Sequence, residues 1–268
     1  MIIYMCEPML EGILCGVYDA WAAARTAPAG HEGVKLVLKG ECEDLELFAD
    51  YRDAEVLQDK AGKVINSVCR KLSQEVYRQV YTASLSQEKD RADKIYRFLV
   101  QAFRCGPAIL EMLQIPACYD IFRMSRNVYN ENHLLTEFLR FSQTPGGILT
   151  ARIGPKNDVL TLLAPHFADR LPEENWVIYD ENHKRAAVHP AGRSWFMVNE
   201  PLDPEQEDSE TGWQYWLKER TDEEEYEDMW RMFCDTIAIR ERKNPVCQRT
   251  HLPLRFRPYM TEFNKFNI

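Results

Sequence analysis

The apolar positions of residues 1–54 predict a strand, a helix and a second strand. The opening "MIIYM" is short and β-prone, and "VKLVLKG" sets apolar side chains against mostly polar neighbours, as expected of a strand with one polar face. Between them, apolar residues recur at helical spacing: Leu10, Ile13, Leu14, Val17, Tyr18 and Trp21. Gly12 and Gly16 lie on this predicted helix, where they permit close backbone packing.

Residues 55–142 have the pattern of helices throughout. Apolar residues recur every four positions at Val64, Val68, Leu72, Val76 and Val80. Ser73 in "LSQEV" begins a near-match to a capping box, and Ser86 in "SLSQEKD" is the better N-cap candidate because acidic residues follow it. Two further amphipathic stretches, "DKIYRFLVQAFRCG" and "ACYDIFRMSRNVYNENHLLTEFLRF", complete a predicted helical insert.

Strand patterns return in residues 143–200. "GGILTARIG" predicts a strand, "DVLTLLAPHFADR" a helix that Pro165 kinks or breaks, and "NWVIYDENHKRAAVHPAGRSWFMV" three strands separated by turns. Residues 201–268 predict an acidic linker, a C-terminal helix and a basic tail. We therefore expect an α+β fold with one mixed sheet built from residues 1–54 and 143–200, a helical insert over 55–142, and a C-terminal helix.

The formal charge of −9 is concentrated in one segment. Residues 200–228 contain thirteen acidic and two basic residues, a local balance of −11, so the remainder of the chain sums to about +2. Residues 235–260 contain six Arg or Lys and two acidic residues. A polyanionic partner is therefore compatible with the net charge, because binding depends on where the charge lies. Part of the asymmetry is ordinary helix electrostatics, with acids at the start of a helix and bases at its end.

The eight cysteines never form a CxxC pair, and most lie in apolar surroundings, which is typical of reduced thiols in a cytoplasmic protein. The N-terminus has neither the charged region nor the apolar run of a signal peptide, and no stretch approaches the length of a membrane helix. The histidines do not cluster with carboxylates in the sequence. We therefore expect no cofactor, no transition metal, no iron–sulfur cluster and no membrane association.

No standard catalytic motif occurs, so candidate chemistry rests on isolated histidines. His183 and His189 flank a predicted hairpin and could approach a metal, although exposed-turn positions are favoured. His166 and Asp169, three apart on one helical face, could act as an acid–base pair, although a helix-end hydrogen bond from the histidine is favoured. His133 lies on an otherwise apolar stripe, where a core or interface histidine is the default.

Four segments together resemble a bacterial family described as DNA metabolism or repair proteins: "LEGILCGVYDAW", "NHLLTEFLRF", "DVLTLLAPHFADRLPEENWVIYD" and "IAIRERKNPVCQRTHLP" continuing to "YMTEF". They occur in the same order over nearly the whole chain. A related domain of unknown function is fused to uracil-DNA glycosylase-like domains in some proteins. The family is typically encoded beside a radical SAM protein, so the resemblance implies a DNA setting and that protein as a partner, without implying a reaction.

The resemblance also carries over site candidates: "RERKNP" at residues 240–245, His133, Arg140, His166 and Asp169. The chain departs from the family pattern in two places. "CEP" at residues 6–8 replaces the usual Asp-Gly turn, which argues against a catalytic role there, and "LRFRPY" at residues 254–259 replaces an aromatic pair.

Three functions are compatible with the sequence. In the first, a DNA-associated partner of a radical SAM enzyme contacts phosphates through basic residues, with Phe256 or Tyr259 stacking on an unpaired base. Those basic residues are Arg140, Arg240, Arg242, Lys243, Arg249, Arg255 and Arg257. In the second, a nucleic-acid-acting enzyme uses His166 and Asp169, with His133 as a weaker catalytic candidate. In the third, a protein-interaction scaffold binds its basic tail to its own acidic segment. The lack of a nucleophile or metal constellation favours the first over the second.

Overall fold

The computed structural model describes residues 1–41, 46–144, 146–199, 232, 236 and 244–263. The chain divides into two compact units, Met1–Asn130 and Glu131–Ile268, which we call the N-terminal unit and the C-terminal unit. Helices and two sheets make up the described chain, and the predicted α+β class is confirmed. Among the described residues, no helix is both long and apolar enough to cross a membrane.

The N-terminal unit contains a small parallel sheet of order β2-β1-β3. Its strands are β1 (Ile2–Cys6), β2 (Val34–Leu38) and β3 (Asp50–Asp53). Helix α1 (Leu10–Ala24) connects β1 to β2 and packs on both. A Cβ added at Gly16 would overlap Sγ of Cys6, so this helix can approach β1 only because a glycine stands there.

Four helices follow: α2 (Gln58–Lys71), α3 (Gln74–Ser84), α4 (Arg91–Cys105) and α5 (Pro116–Phe138). Ser73 caps α3, because its Oγ accepts the backbone N–H of Val76 at 3.1 Å. The preference for Ser86 as an N-cap is wrong. Helix α4 begins only after Asp90, and Oγ of Ser86 instead accepts the N–H of Glu88 in the preceding turn at 3.3 Å.

Helix α4 is fixed to the N-terminal sheet by polar and apolar contacts together. Its buried face includes Ile95, Phe98 and Leu99. Oδ1 of Asp93 accepts the N–H of Leu36 at 3.1 Å, and the guanidinium of Arg97 donates to the carbonyl oxygens of residues 31 and 34. The helices predicted as an insert therefore complete the core of the N-terminal unit.

The C-terminal unit contains a mixed sheet of order β4-β5-β6-β7-β8, in which only β5 and β6 are parallel. Its strands are β4 (Ser142–Gln143), β5 (Leu149–Ile153), β6 (Trp176–Asp180), β7 (Arg185–His189) and β8 (Phe196–Asn199). Helix α6 (Leu160–Arg170) connects β5 to β6, and Pro165 lies within it without ending it. The three strands predicted between residues 176 and 199 are confirmed.

The strands from the two ends of the chain belong to two sheets, whereas the sequence pattern led us to expect one. The N-terminal sheet ends at β3, a four-residue strand, "DYRD", whose charged side chains limit further pairing. Periodicity identifies a strand but does not identify its neighbour, so one sheet and two sheets have the same hydrophobic signature.

The C-terminal segment contributes helix α7 (Pro245–His251) and two short 3₁₀ helices, Leu254–Tyr259 and Thr261–Phe263. Leu252, Phe256 and Met260 are buried. The acidic linker and most of the predicted C-terminal helix lie outside the described residues. The described part of the basic tail is therefore packed into its unit by apolar side chains.

Candidate nucleic-acid interface

Polar side chains gather where β5 and β6 end and β7 begins. Ile153 pairs with Asp180 across the parallel strands, and Asp180 pairs with Arg185 across the hairpin. The loop after β5 is joined to the hairpin turn, because Nδ2 of Asn182 donates to the carbonyl oxygen of Pro155 at 2.8 Å. The carboxyl ends of parallel strands are a common location for ligand sites. We call residues 152–158 and 180–185 the edge cluster.

Asp180 is the most enclosed charged group of the edge cluster, with no exposed surface. Its Oδ1 accepts the backbone N–H groups of Asn182 and His183 at 3.0 and 3.1 Å, and its Oδ2 lies 2.7 Å from Nδ1 of His183. Burial lowers the pKa of His183, but the hydrogen bond and charge of Asp180, followed by the charge of Asp158, raise it more, so the net shift is upward. Asp180 thus fixes the imidazole and favours its protonated form.

Two arginines form ion pairs with the other carboxylates of the edge cluster, Asp158 and Glu181. Nη1 of Arg185 donates to Oδ2 of Asp158 at 2.5 Å, and Nε of Arg152 donates to Oε1 of Glu181 at 2.7 Å. The hydroxyl of Tyr259 donates to Oε2 of Glu181 at 3.0 Å. Burial, followed by this hydrogen bond, raises the pKa of Tyr259 to about 12. Glu181 therefore ties the C-terminal tail to the edge cluster.

Glu131 makes a second connection between the tail and the edge cluster. This carboxylate is 2% exposed and accepts the backbone N–H groups of Lys156 and Asn157 at 3.0 and 2.8 Å. Nη2 of Arg255 lies 2.8 Å from its Oε1. One buried carboxylate at the start of the C-terminal unit thus positions both the loop after β5 and a predicted phosphate-binding arginine.

In these ion pairs the cation is the outer partner. The side chain of Arg152 is 56% exposed against 25% for Glu181, and that of Arg255 is 37% exposed against 2% for Glu131. Arg185 is likewise more exposed than Asp158.

The N-terminal unit does not have this bias. In its pairs of Lys39 with Asp53 and of Lys94 with Asp90, the carboxylate is the more exposed partner. Lys156 and Lys184 are also exposed within the edge cluster, so positive charge faces the solvent there, above carboxylates that lie deeper.

The structure separates the basic residues predicted from sequence into different environments. Arg255 joins the edge cluster through Glu131, whereas Nη2 of Arg140 lies 2.8 Å from Oε1 of Glu262. The guanidinium of Arg257 lies 4.7 Å from the ring centroid of Phe263. Arg249 is exposed on α7 and donates to a backbone carbonyl of the same helix. The remaining predicted contacts, Arg240, Arg242 and Lys243, lie outside the described residues.

The aromatic residues proposed for base stacking are engaged elsewhere in the C-terminal unit. Phe256 is 2% exposed, so its ring is not available to a base. The ring of Tyr259 lies against Gly154, and its hydroxyl is bound to Glu181. Base stacking by Phe256 is incompatible with its position in the core, and stacking by Tyr259 would require this contact to open.

The predicted acid–base residues, His166 and Asp169, are not paired with each other. His166 and Asp169 are both exposed on α6, and within the described chain no hydrogen bond or ion pair joins them. His133 is on the solvent face of α5, with a side chain 72% exposed and Nε2 3.3 Å from Oε1 of Glu137. The expectation of a core position for His133 is therefore wrong, whereas an interface position stays a prediction.

The two hairpin histidines also differ from expectation. His189 is 3% exposed and stacks on Trp176 with ring centroids 5.0 Å apart, and its Nδ1 lies 2.9 Å from the carbonyl oxygen of Glu174. The exposed-turn position is wrong for this residue, and His183 is half-buried against Asp180. In the described ranges, no three or more His, Cys, Asp or Glu side chains are arranged to hold a metal ion.

Sequence reasoning missed Asp180, His183 as a paired residue, and Glu131. A signal existed for the first two, because "DENH" directly after a strand allows an aspartate to accept backbone N–H groups two and three residues later. Glu131 gave no signal. Its partners are remote in sequence, and its position on an amphipathic helix resembles that of any surface glutamate.

The fold and the edge cluster define an α+β protein whose C-terminal unit presents cations above buried carboxylates. Residues 89–262, more than half of the chain, match the family model described as "Domain of unknown function" (DUF4130), and the protein belongs to that family. The match includes the whole edge cluster, Glu131 and Arg255. Among curated proteins, none matches this chain in sequence.

Proposed function

We propose that this protein is a DNA-associated partner of a radical SAM enzyme in DNA metabolism or repair, and that it acts in the cytoplasm. Its DNA contacts are the outward cations of the edge cluster together with Arg255. The observation that carries the proposal is the position of these cations above deeper carboxylates. The resemblance to DNA metabolism and repair proteins supports the choice of DNA as the polyanion and of a radical SAM protein as the partner.

Such a surface binds DNA by neutralising backbone phosphates with its cations. Five outward cations are available: Arg152, Lys156, Lys184, Arg185 and Arg255. Each phosphate contact releases condensed counterions and contributes about −0.9 to the slope of log affinity against log salt on duplex DNA. Three or four contacts predict a slope of about −3 to −4, with weak and sequence-independent binding at physiological salt. Sequence selectivity, where present, would come from the partner.

Three basic residues, Arg240, Arg242 and Lys243, extend this proposal into the adjoining segment of the chain. Residues 200–228 carry a balance of −11 and precede that segment. Such an acidic stretch limits non-specific binding, because it competes with phosphates for the same cations. The proposal therefore includes autoinhibition of DNA binding by the acidic stretch. Binding of the partner or of DNA relieves this inhibition.

The proposal is tested with Lys156→Gln/Lys184→Gln. Both side chains are exposed, so their loss leaves the internal ion pairs of the C-terminal unit intact. The matched control is Lys63→Gln/Lys71→Gln, which removes the same charge from exposed positions of the N-terminal unit. Binding to labelled duplex and single-stranded oligonucleotides is measured by fluorescence anisotropy at two salt concentrations, with folding checked by thermal melting.

We expect the edge-cluster variant to bind about five- to tenfold more weakly, with a salt slope flatter by about 2, and the control to bind within about twofold of the parent. Unchanged affinity and slope in a folded edge-cluster variant would overturn the assignment of this surface. Failure of the parent to bind DNA, alone or with the neighbouring radical SAM protein, would overturn the DNA function. Failure of the two proteins to co-purify would overturn the partnership.

The interaction scaffold is the second candidate, because Arg140 and Arg255 both pair with carboxylates of their own chain. In that case the cations organise the C-terminal unit and contact no phosphate. The same experiment separates the two functions. A scaffold would co-purify with its partner, but neither the edge-cluster variant nor the control variant would change the affinity for DNA or its dependence on salt.

A further inference from the structure

The edge cluster contains one carboxylate whose charge is offset by a histidine. Asp158 is paired with Arg185 and Glu181 with Arg152, whereas the described ion-pair partner of Asp180 is His183. When His183 is neutral, Asp180 is therefore an uncompensated negative charge beneath a surface proposed to meet phosphates. When His183 is protonated, that charge is cancelled.

The hydrogen-bonding arrangement determines which ring nitrogen can meet a ligand. Nδ1 of His183 is held 2.7 Å from Oδ2 of Asp180, and Asp180 is itself fixed by two backbone N–H groups of the turn. No described residue forms a hydrogen bond with Nε2 of His183. With Nδ1 donating to the carboxylate, Nε2 is an acceptor in the neutral ring and a donor in the protonated ring.

The charges around His183 come from three elements. Asp180 belongs to β6, Asp158 to the loop after β5, and Arg185 to β7. The edge cluster as a whole contains four Lys or Arg and three Asp or Glu, so protonation of His183 changes its net charge from +1 to +2. A single proton therefore doubles the net positive charge of the edge cluster.

We infer that His183 is a proton-dependent phosphate contact of this surface, in which the protonated imidazole donates from Nε2 to a nucleic-acid backbone phosphate while Asp180 holds Nδ1. The inference rests on the proposed function and adds a specific contact and its regulation. Exposure of the ring is intermediate, as such a contact requires, since the side chain is 27% exposed while Asp180 is fully buried.

Binding and protonation must then strengthen each other. Burial lowers the pKa of His183, but Asp180 and Asp158 raise it more, so the net shift favours the protonated ring. A bound phosphate stabilises the imidazolium and raises the pKa further, and by the same linkage the protonated protein binds DNA more tightly. DNA affinity should fall as the pH rises through the pKa of His183.

The test compares the pH dependence of DNA binding in the parent, His183→Gln and His251→Gln. The last is a matched control, because His251 is an exposed histidine of the same unit, outside the edge cluster. Anisotropy titrations at one salt concentration run from about pH 6 to about pH 8.5, the range in which histidines change charge. Histidine NMR signals of the parent are followed over the same range with DNA, with inorganic phosphate and with neither.

We expect the parent and His251→Gln to lose about five- to tenfold in affinity over this range, and His183→Gln to bind weakly with little pH dependence. The NMR titration of His183 should move to higher pH with DNA. A comparable shift with inorganic phosphate alone would identify a general phosphate site and contradict a backbone-specific contact.

A His183→Gln variant with the parental pH dependence would overturn the inference while leaving DNA binding itself in place. If the variant fails to fold, the NMR titration of the parent decides, since a His183 titration unmoved by DNA contradicts the contact. Absence of DNA binding by the parent at every pH would instead remove the proposed function on which the inference rests.

Discussion

The guanidinium of Arg255 lies 2.8 Å from the carboxylate of Glu131, a residue of helix α5, which is far earlier in the chain. The same carboxylate receives the backbone of the loop after β5, so one buried group joins three segments of the C-terminal unit. The described part of the basic tail is therefore a structural component of this unit. Arg255 is therefore held in a defined position, which distinguishes it from a cation of a solvated arm.

Replacing Glu131 should destabilise the protein strongly. Glu131→Ala leaves two backbone N–H groups without their acceptor and Arg255 without its partner, and we expect a loss of about 2–3 kcal/mol in the free energy of unfolding. Glu137→Ala on the same helix is the control, because Glu137 is exposed and makes only a surface pair with His133. It should change stability by less than about 0.5 kcal/mol. Urea denaturation gives both values, and equal losses would contradict the role assigned to Glu131.

Gly154 should not tolerate a side chain. A Cβ at this position would overlap the hydroxyl oxygen of Tyr259 and lie 2.8 Å from its Cζ, so the tail would have to shift. We expect Gly154→Ala to cost about 1–3 kcal/mol. Gly62→Ala is the control, since nothing lies within 4 Å of its added Cβ in helix α2, and it should stabilise by about 0.5–1 kcal/mol. Thermal melting of both variants checks the prediction, and a neutral Gly154→Ala would count against close packing of the tail.

Tyr259 should make stability depend on pH in the alkaline range. Its folded-state pKa of about 12 exceeds the ordinary value of about 10, so the folded protein favours the neutral phenol. This contribution is complete below about pH 10 and is lost as the pH rises towards about 12. The stability difference between the parent and Tyr259→Phe should therefore shrink over that interval. Urea denaturation at several pH values measures it, and a constant difference would show that the phenol ionises as it does in the unfolded chain.

Ser73 should be the residue that starts α3. Ser73→Ala removes the acceptor for the N–H of Val76, and we expect a loss of about 1 kcal/mol. Ser67→Ala is the control, because Oγ of Ser67 donates to a carbonyl oxygen within α2 and caps no helix end. It should be nearly neutral. Similar chemical denaturation curves for the two variants would contradict the assignment of the cap.

Local patterning predicted most elements but not their assembly. The helix over residues 10–24 and the hairpin strands over residues 176–199 followed from periodicity, because each buries one face and the side chains of that face recur at a fixed interval. The four-residue strand β3 was missed, since "DYRD" has no apolar alternation by which a strand could be identified. The division into two sheets was missed for a related reason, because strand pairing is a long-range property.

The candidate site was harder to predict than the fold. The basic tail drew attention to Arg255, but Lys156, whose backbone N–H binds the same Glu131 carboxylate, belongs to a loop about a hundred residues earlier. The carboxylate that binds Arg255 is that of Glu131, which is buried although its helix has the sequence pattern of an amphipathic, solvent-exposed helix. His166 and Asp169 had suitable spacing but lie exposed on α6, which shows that helical proximity alone does not create an enclosed pair.

The family similarity begins at residue 89, two residues before α4 and well inside the N-terminal unit. Helix α4 packs on β2 and α3, both of which precede that point. A fragment cut at residue 89 would therefore uncover Ile95, Phe98 and Leu99, all fully buried in the intact unit. Exposed apolar faces of this kind promote aggregation. The segment that matches the family model is therefore too short to fold correctly by itself. Helix α4, the first helix within the match, needs the preceding residues of the N-terminal unit to bury its apolar face.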